Sequence, residues 1–186
     1  MKENYTHISV ILDRTGSMES IRSDIVGGFN AFLHDQQQEP GMATLTLVQF
    51  DSQDPYEVIH QFTPIQHVRQ LTWWQYVPRA STPLLDALGR GINDLEARLA
   101  HMAPSEKPAK VVFVIITDGQ ENASQEFRKA QIVRMIHQRQ EQDGWQFVFL
   151  SADLDSITDA LSYGFQAEAT MSYDKNAQGT ASAWSS

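Results

Sequence analysis

The stretch His7-Ile8-Ser9-Val10-Ile11-Leu12-Asp13-Arg14-Thr15-Gly16-Ser17 runs an apolar segment straight into a cluster of oxygen-bearing side chains. A short β-branched run such as His7 to Leu12 has the pattern of a strand buried on both faces, the habit of strands in a parallel sheet. Lys110 to Thr117 (KVVFVIIT) and Trp145 to Leu150 (WQFVFL) repeat it, and Thr44 to Phe50 (TLTLVQF) is a fourth strand candidate. Pro55 to Phe62 carries Tyr56, Val58 and Phe62 at even spacing and reads as an edge strand.

Helical spacing fills the intervals. Ile21, Ile25, Phe29, Phe32 and Leu33 mark one helix, stopped by Pro40-Gly41. Leu85, Leu88, Ile92, Leu95, Leu99 and Met102 form an amphipathic stripe in alternating steps of three and four. Phe127, Ala130, Val133 and Ile136 predict a helix from about Gln125 to Gln140. Ile157, Ala160 and Leu161 predict a short helix ending at Gly164, and Phe165 to Met171 a last strand. Gly27-Gly28, inside the first helix, reads as close packing of that helix on the sheet. The alternation predicts an α/β fold: one doubly wound, mostly parallel sheet of about six strands, with one antiparallel edge strand and helices on both faces.

Bulk composition narrows the chemistry. Across 186 residues, 23 acidic side chains face 14 basic ones, a formal charge of -9. Such a surface repels nucleic acid and anionic lipid, so neither is an expected partner. Cysteine is absent, which excludes thiolate metal sites and a thiol nucleophile. Met1 to His7 lacks the apolar core of a secretory signal, and no apolar run reaches the ~20 residues that span a bilayer. A cytoplasmic setting is expected.

Three motifs carry chemistry. Asp13, Thr15 and Ser17, spaced D-x-T-x-S after the first strand, can converge in a tight turn at Gly16 and offer hard oxygen ligands. The same residues could equally cap the next helix. Asp118 ends the Val111 strand, where open α/β sheets place their ligands, although Asp118-Gly119 is also a common turn pair. Were the two strands neighbours at a switch in strand order, Asp13 and Asp118 would face each other, and a cation would relieve their repulsion. Ala80-Ser81-Thr82-Pro83-Leu84 precedes the strongest helix, with Thr82 fitted to the N-cap and Pro83 to the first helical position.

Taken together and in this order, the three motifs resemble the metal-ion-dependent adhesion site (MIDAS) of the von Willebrand factor type A (vWA) family, intracellular bacterial- or phage-like members included. The match runs from about Tyr5 to Met171, with residues 1–173 as one vWA domain and 174–186 as a polar tail or truncated helix. The resemblance implies that Asp13, Thr15, Ser17, Thr82 and Asp118 hold one divalent cation, Mg2+ by hard-ligand preference, with Mn2+ or Ca2+ as alternatives. Thr15 stands where many members have serine and keeps the hydroxyl; Ser81 stands where glycine is frequent and removes no ligand. In such a site Thr15 and Ser17 would ligate directly, Thr82 directly or through water, and Asp13 and Asp118 would orient waters. A cation so held keeps an open position for an Asp or Glu carboxylate of a protein partner.

The loop Leu71 to Arg79, leading into Thr82, adds a candidate partner face of Trp73, Trp74 and Arg79, with Arg14 beside it. Packing of either tryptophan on the core is the alternative. Asp51 is a candidate outer contact of the site, and Asp86 is expected to complement its own helix N-terminus. The six histidines lack ligand-like spacing and are expected mostly at surfaces or edges. The chain lacks G-x-x-x-x-G-K-[ST], G-x-S-x-G and H-E-x-x-H, so an enzyme is not expected. The rival readings are a Mg2+-dependent phosphatase or phosphotransferase with Asp13 as nucleophile, and an assembly protein indifferent to metal.

Overall fold

Strand β1 (Lys2–Asp13) lies inside the sheet, parallel to β2 (Met42–Phe50) on one side and to β4 (Pro108–Ile116) on the other. The computed structural model describes residues 2–118, 121–151 and 170–172. Beyond β2 lies β3 (Glu57–Pro64), antiparallel at the edge; beyond β4 lie β5 (Gln146–Ser151) and β6 (Thr170–Ser172), both parallel. The six-stranded order is β3-β2-β1-β4-β5-β6. The chain leaves β1 toward β2 and later fills the opposite side from β4 onward, so the strand order switches between β1 and β4. Their register, Leu12 beside Ile116, brings Asp13 and Asp118 to the same rim of the sheet.

The period-two alternation of β1 splits the core in two. Val10 and Leu12 pack with Ile25, Phe29 and Leu33 of α1 (Arg22–Gln38) and with Leu45 and Leu47 of β2. Ile11 packs on the other face with Leu88 and Ile92 of α2 (Leu84–His101), Ile136 of α3 (Lys129–Asp143), and Phe113. Gly91 lets α2 lie close on the sheet: a Cβ there would stand 2.9 Å from Ile11 Cδ1 and 3.0 Å from Phe113 Cζ. Among the described residues no helix is long and apolar enough to cross a membrane.

Several expectations need correction. Gly27 faces open space, and an added Cβ would meet nothing within 4 Å, so close packing does not account for it, whereas Gly28 is buried. Gly27→Ala is therefore expected to stabilise the protein by ~0.5–1 kcal/mol, because alanine loses less backbone freedom on folding. Thermal denaturation of the variant measures this. Helix α3 starts at Lys129, not near Gln125, because the preceding loop is tied to α2. The expected helix at 157–164, most of the strand at 165–171, and the boundary and tail at 173–186 lie outside the described residues.

His7 is no edge residue. It is fully buried, stacked on Phe62 at 3.8 Å between ring centroids, with Nδ1 2.8 Å from Thr44 Oγ1. Burial lowers its pKa from 6.5 to about 3. A histidine that is less basic folded than unfolded takes its proton preferentially when unfolded. Its destabilising effect is absent well above pH 6.5 and grows as pH falls from 6.5 toward 3. Acidification from pH 7 to pH 5 is expected to cost about 2 kcal/mol through this group. Urea denaturation of the wild type and of His7→Phe at both pH values isolates this contribution: the stability change from pH 7 to pH 5 should be less favourable in the wild type than in the variant by about 2 kcal/mol.

Candidate metal centre

Asp13, the last residue of β1, is fully buried and held from three directions. Its Oδ1 accepts the Thr15 N–H at 2.6 Å and its Oδ2 accepts the Thr117 hydroxyl, just past β4, at 2.5 Å. Its main-chain carbonyl accepts the Tyr76 hydroxyl at 2.7 Å. The chain then turns through extended Thr15 into a short 3-10 helix, Gly16–Ile21. This turn brings Thr15 Oγ1 within 3.3 Å of Ser17 Oγ. Thr82, from a loop 67 residues away, donates its hydroxyl to Thr15 Oγ1 at 3.3 Å. Thr82 is thus not the N-cap of α2, which starts at Leu84 with Pro83 in the cap position. Its hydroxyl turns toward the D-x-T-x-S loop instead.

The neighbours of Thr82 explain that choice. Asn122 Oδ1 accepts the Thr82 N–H at 2.9 Å, and the Asn122 N–H donates to the Thr82 carbonyl at 3.1 Å. Glu121 accepts the Leu85 N–H, doing for α2 what a capping threonine would have done. Asp86 lies in the first turn of α2, as expected of a residue that complements the helix N-terminus, and its carboxylate also accepts the N–H groups of Gln125, Glu126 and Phe127 and fixes the loop before α3. Ala80 sits at φ +60, a left-handed conformation that costs a non-glycine residue ~1 kcal/mol or more. In that conformation its carbonyl accepts the Gly16 N–H at 3.2 Å.

Electrostatics favour a cation at this rim. Asp118 is buried beside Asp13. Burial raises the Asp13 pKa to about 6 and the Asp118 charge adds to the rise, while bonds from Thr117 and Thr15 oppose it. Among the described residues no three His, Asp or Glu side chains gather as a ligand cluster; the donors here are hydroxyls and two carboxylates. That set suits a hard ion. The hydroxyl separations of 3.3 Å are long for O–H···O bonds. They lie near the spacing of roughly 3 Å between adjacent oxygens placed ~2.1 Å from an octahedral Mg2+. In donor chemistry, and in the spacing of the Thr15, Ser17 and Thr82 hydroxyls, the set is compatible with a divalent cation.

No protein-family model and no curated protein matches the chain. Solved structures do. A von Willebrand factor type A protein from Catenulispora acidiphila is 14% identical, with a TM-score of 0.63 over 98% of this chain and 41% of its own. The chain has the vWA fold. The manganese-loaded TRAP protein of Plasmodium vivax is 12% identical at a TM-score of 0.66, over 98% of this chain and 73% of its own. The mussel byssus protein PTMP1, with a zinc-occupied MIDAS motif, is 15% identical at a TM-score of 0.60, over 98% of this chain and 44% of its own. At these identities the likeness is one of fold, and the chain spans less than half the length of the Catenulispora and mussel chains.

On this vWA fold the candidate partner residues divide. Arg14 is 4% exposed: its guanidinium pairs with Asp51 at 2.8 Å, with Gln49 at 3.2 Å and with Glu57. The partner-facing arginine expected there is instead an internal strut. Arg79 is half-exposed and donates Nε to the same Asp51 oxygen at 2.9 Å. Burial acts to raise the Asp51 pKa, and its bonds from Asp54, Arg79 and Gln53, with the Arg14 charge, outweigh it and leave the group below its ordinary value. Neither tryptophan packs into the core: Trp73 is 48% and Trp74 91% exposed. Arg22 stacks 4.5 Å above the Trp73 ring and donates to its carbonyl. Tyr76 is the aromatic of this loop that is buried. Its position between two exposed residues, Gln75 and Val77, gives no periodic signal.

Proposed function

We propose that the protein is a divalent-metal-dependent protein-binding module. Asp13, Thr15, Ser17, Thr82 and Asp118 would hold one Mg2+, with Mn2+ or Ca2+ able to replace it, and a partner's Asp or Glu would complete the coordination. The observation that carries this reading is the turn of the Thr82 hydroxyl away from its own helix and onto Thr15, beside two buried carboxylates. A capping threonine would have no reason to make that contact. With two carboxylates among five donors, the ion would keep enough positive charge to attract a third from outside. Solved structures of the same fold, described as manganese-loaded and as having a zinc-occupied MIDAS motif, support metal binding in general terms.

Trp73 and Trp74 are proposed as the apolar part of the partner face. They stand on a loop tied to the site through Tyr76 and Arg79, and exposed tryptophans are frequent interface anchors. The phosphatase alternative is weakened by Asp13 itself. A nucleophilic carboxylate needs an oxygen open to the substrate, and both Asp13 oxygens are engaged in a fully buried position. The proposed setting is cytoplasmic, in keeping with a chain free of cysteine.

The test is capture of partners by immobilised protein in Mg2+, in excess EDTA, and with Asp118→Ala in Mg2+. A protein retained by the wild type in Mg2+ and lost in both other arms supports metal-bridged recognition. Retention in all three arms rejects it.

A further inference from the structure

The ion-pair cluster of Arg14, Asp51 and Arg79 sits among the metal-binding loops without contributing a ligand. Asp51 Oδ2 accepts hydrogen bonds from Arg14 Nε at 2.9 Å and Arg79 Nε at 2.9 Å, and Arg14 Nη2 lies in ion-pair contact with it at 2.8 Å. Its Oδ1 receives the N–H groups of Gln53 at 2.7 Å and Asp54 at 3.0 Å. A carboxylate bonded this fully is fixed in place, and it fixes whatever grips it. Arg14 lies between Asp13 and Thr15; Arg79 lies three residues before Thr82.

The main chain repeats the pattern. The Arg14 N–H donates to the Phe50 carbonyl at 3.0 Å, and the Arg79 N–H to the Arg14 carbonyl at 2.9 Å. The Ser52 N–H donates to the Ser81 carbonyl at 3.0 Å, and the Ser81 N–H to Ser52 Oγ at 3.1 Å. The corner after β2 is therefore laced both to the D-x-T-x-S loop and to the Thr82 loop. Thr15 and Thr82 are 67 residues apart in sequence, so the 3.3 Å between their hydroxyls depends on such lacing. Coordination tolerates errors of only about 0.5 Å in ligand placement.

We propose that Asp51 and Arg79 are positioning residues for the cation, forming with Arg14 a brace that sets the distance between the Thr15 and Thr82 hydroxyls. The proposal rests on the metal reading above. The brace predicts a sign that charge alone would reverse. An Arg79 acting only through its positive charge would oppose a dication, and its removal would tighten binding. An Arg79 acting as a brace does the opposite: releasing the Thr82 loop weakens binding although a positive charge has gone.

Arg79 suits the experiment because its side chain is half-exposed, so replacing it leaves the buried Arg14–Asp51 pair intact. Mn2+ is titrated into wild type, Arg79→Gln and Arg79→Lys, well below their unfolding temperatures, with the free ion read by electron paramagnetic resonance. The expected result is a Kd for Arg79→Gln raised about tenfold, as for outer residues that orient metal ligands. Arg79→Lys, whose ammonium can still reach Asp51, should recover most of the loss. An Arg79→Gln Kd equal to or tighter than wild type overturns the brace, even if the variant melts earlier. A wild type that binds no Mn2+ overturns the metal reading itself, which separates the two failures.

Discussion

Asp51→Ala is expected to destabilise the metal-free protein by about 3–5 kcal/mol, the usual consequence of leaving a buried charge without its partner. Arg14 is the stranded group: its guanidinium is buried, and its remaining partners are the neutral Gln49 and the half-exposed Glu57. The loss should be strongly non-additive. In an Arg14→Met background, where no buried charge remains to be stranded, the same Asp51→Ala change should cost a fraction of that amount. Urea denaturation of the wild type, the two single variants and the double variant measures the coupling. Equal costs of Asp51→Ala in both backgrounds would mean that the pair contributes nothing as a pair.

The second large effect concerns the ion. An ion that binds only the folded chain adds about 2.7 kcal/mol at a hundredfold excess over its Kd. For a domain of this size that corresponds to a rise of roughly 5–10 °C in Tm. Mg2+ is therefore expected to raise the Tm of the wild type by this order and to leave Asp118→Ala unmoved, with Thr82→Ala intermediate. Each melt is referenced to the same variant in EDTA, so the quantity read is the direction of the Mg2+-induced shift and not the absolute Tm. This direction distinguishes a lost ligand from a damaged fold. Thermal melts with Mg2+ and with EDTA carry the comparison.

Much of the fold was legible because its signals are local. Buried parallel strands announce themselves as β-branched runs, and α2 as an unbroken stripe from Leu85 to Leu99. The adjacency of β1 and β4 at the switch point, conditional in the sequence, is observed in the sheet order. What was misread is the work of long-range contacts. Phe127 matches the period of α3, yet it belongs to the loop before that helix and lies against Gly89, where a Cβ would stand 2.4 Å from its ring. Nothing local in the sequence marks the partners of Asp86 and Arg14, which lie nearly 40 residues away. Tyr76 and Asn122, which hold Asp13 and Thr82, carry no motif at all; their partners lie 63 and 40 residues off. The candidate ligands were found because short hydroxyl-rich motifs at strand and helix ends are conspicuous. The parts that position them were not, because a single tyrosine, asparagine or arginine looks the same whether it points into solvent or into a site.

The measurement that bears most directly on the central claim is a Mn2+ titration of the wild type beside Asp118→Ala, with Mg2+ added afterwards as competitor. The account predicts one Mn2+ per wild-type chain, displaced by Mg2+, and no comparable binding by Asp118→Ala. A wild type that leaves all Mn2+ free, or a variant that binds it equally well, would contradict the assignment of this rim as a metal centre.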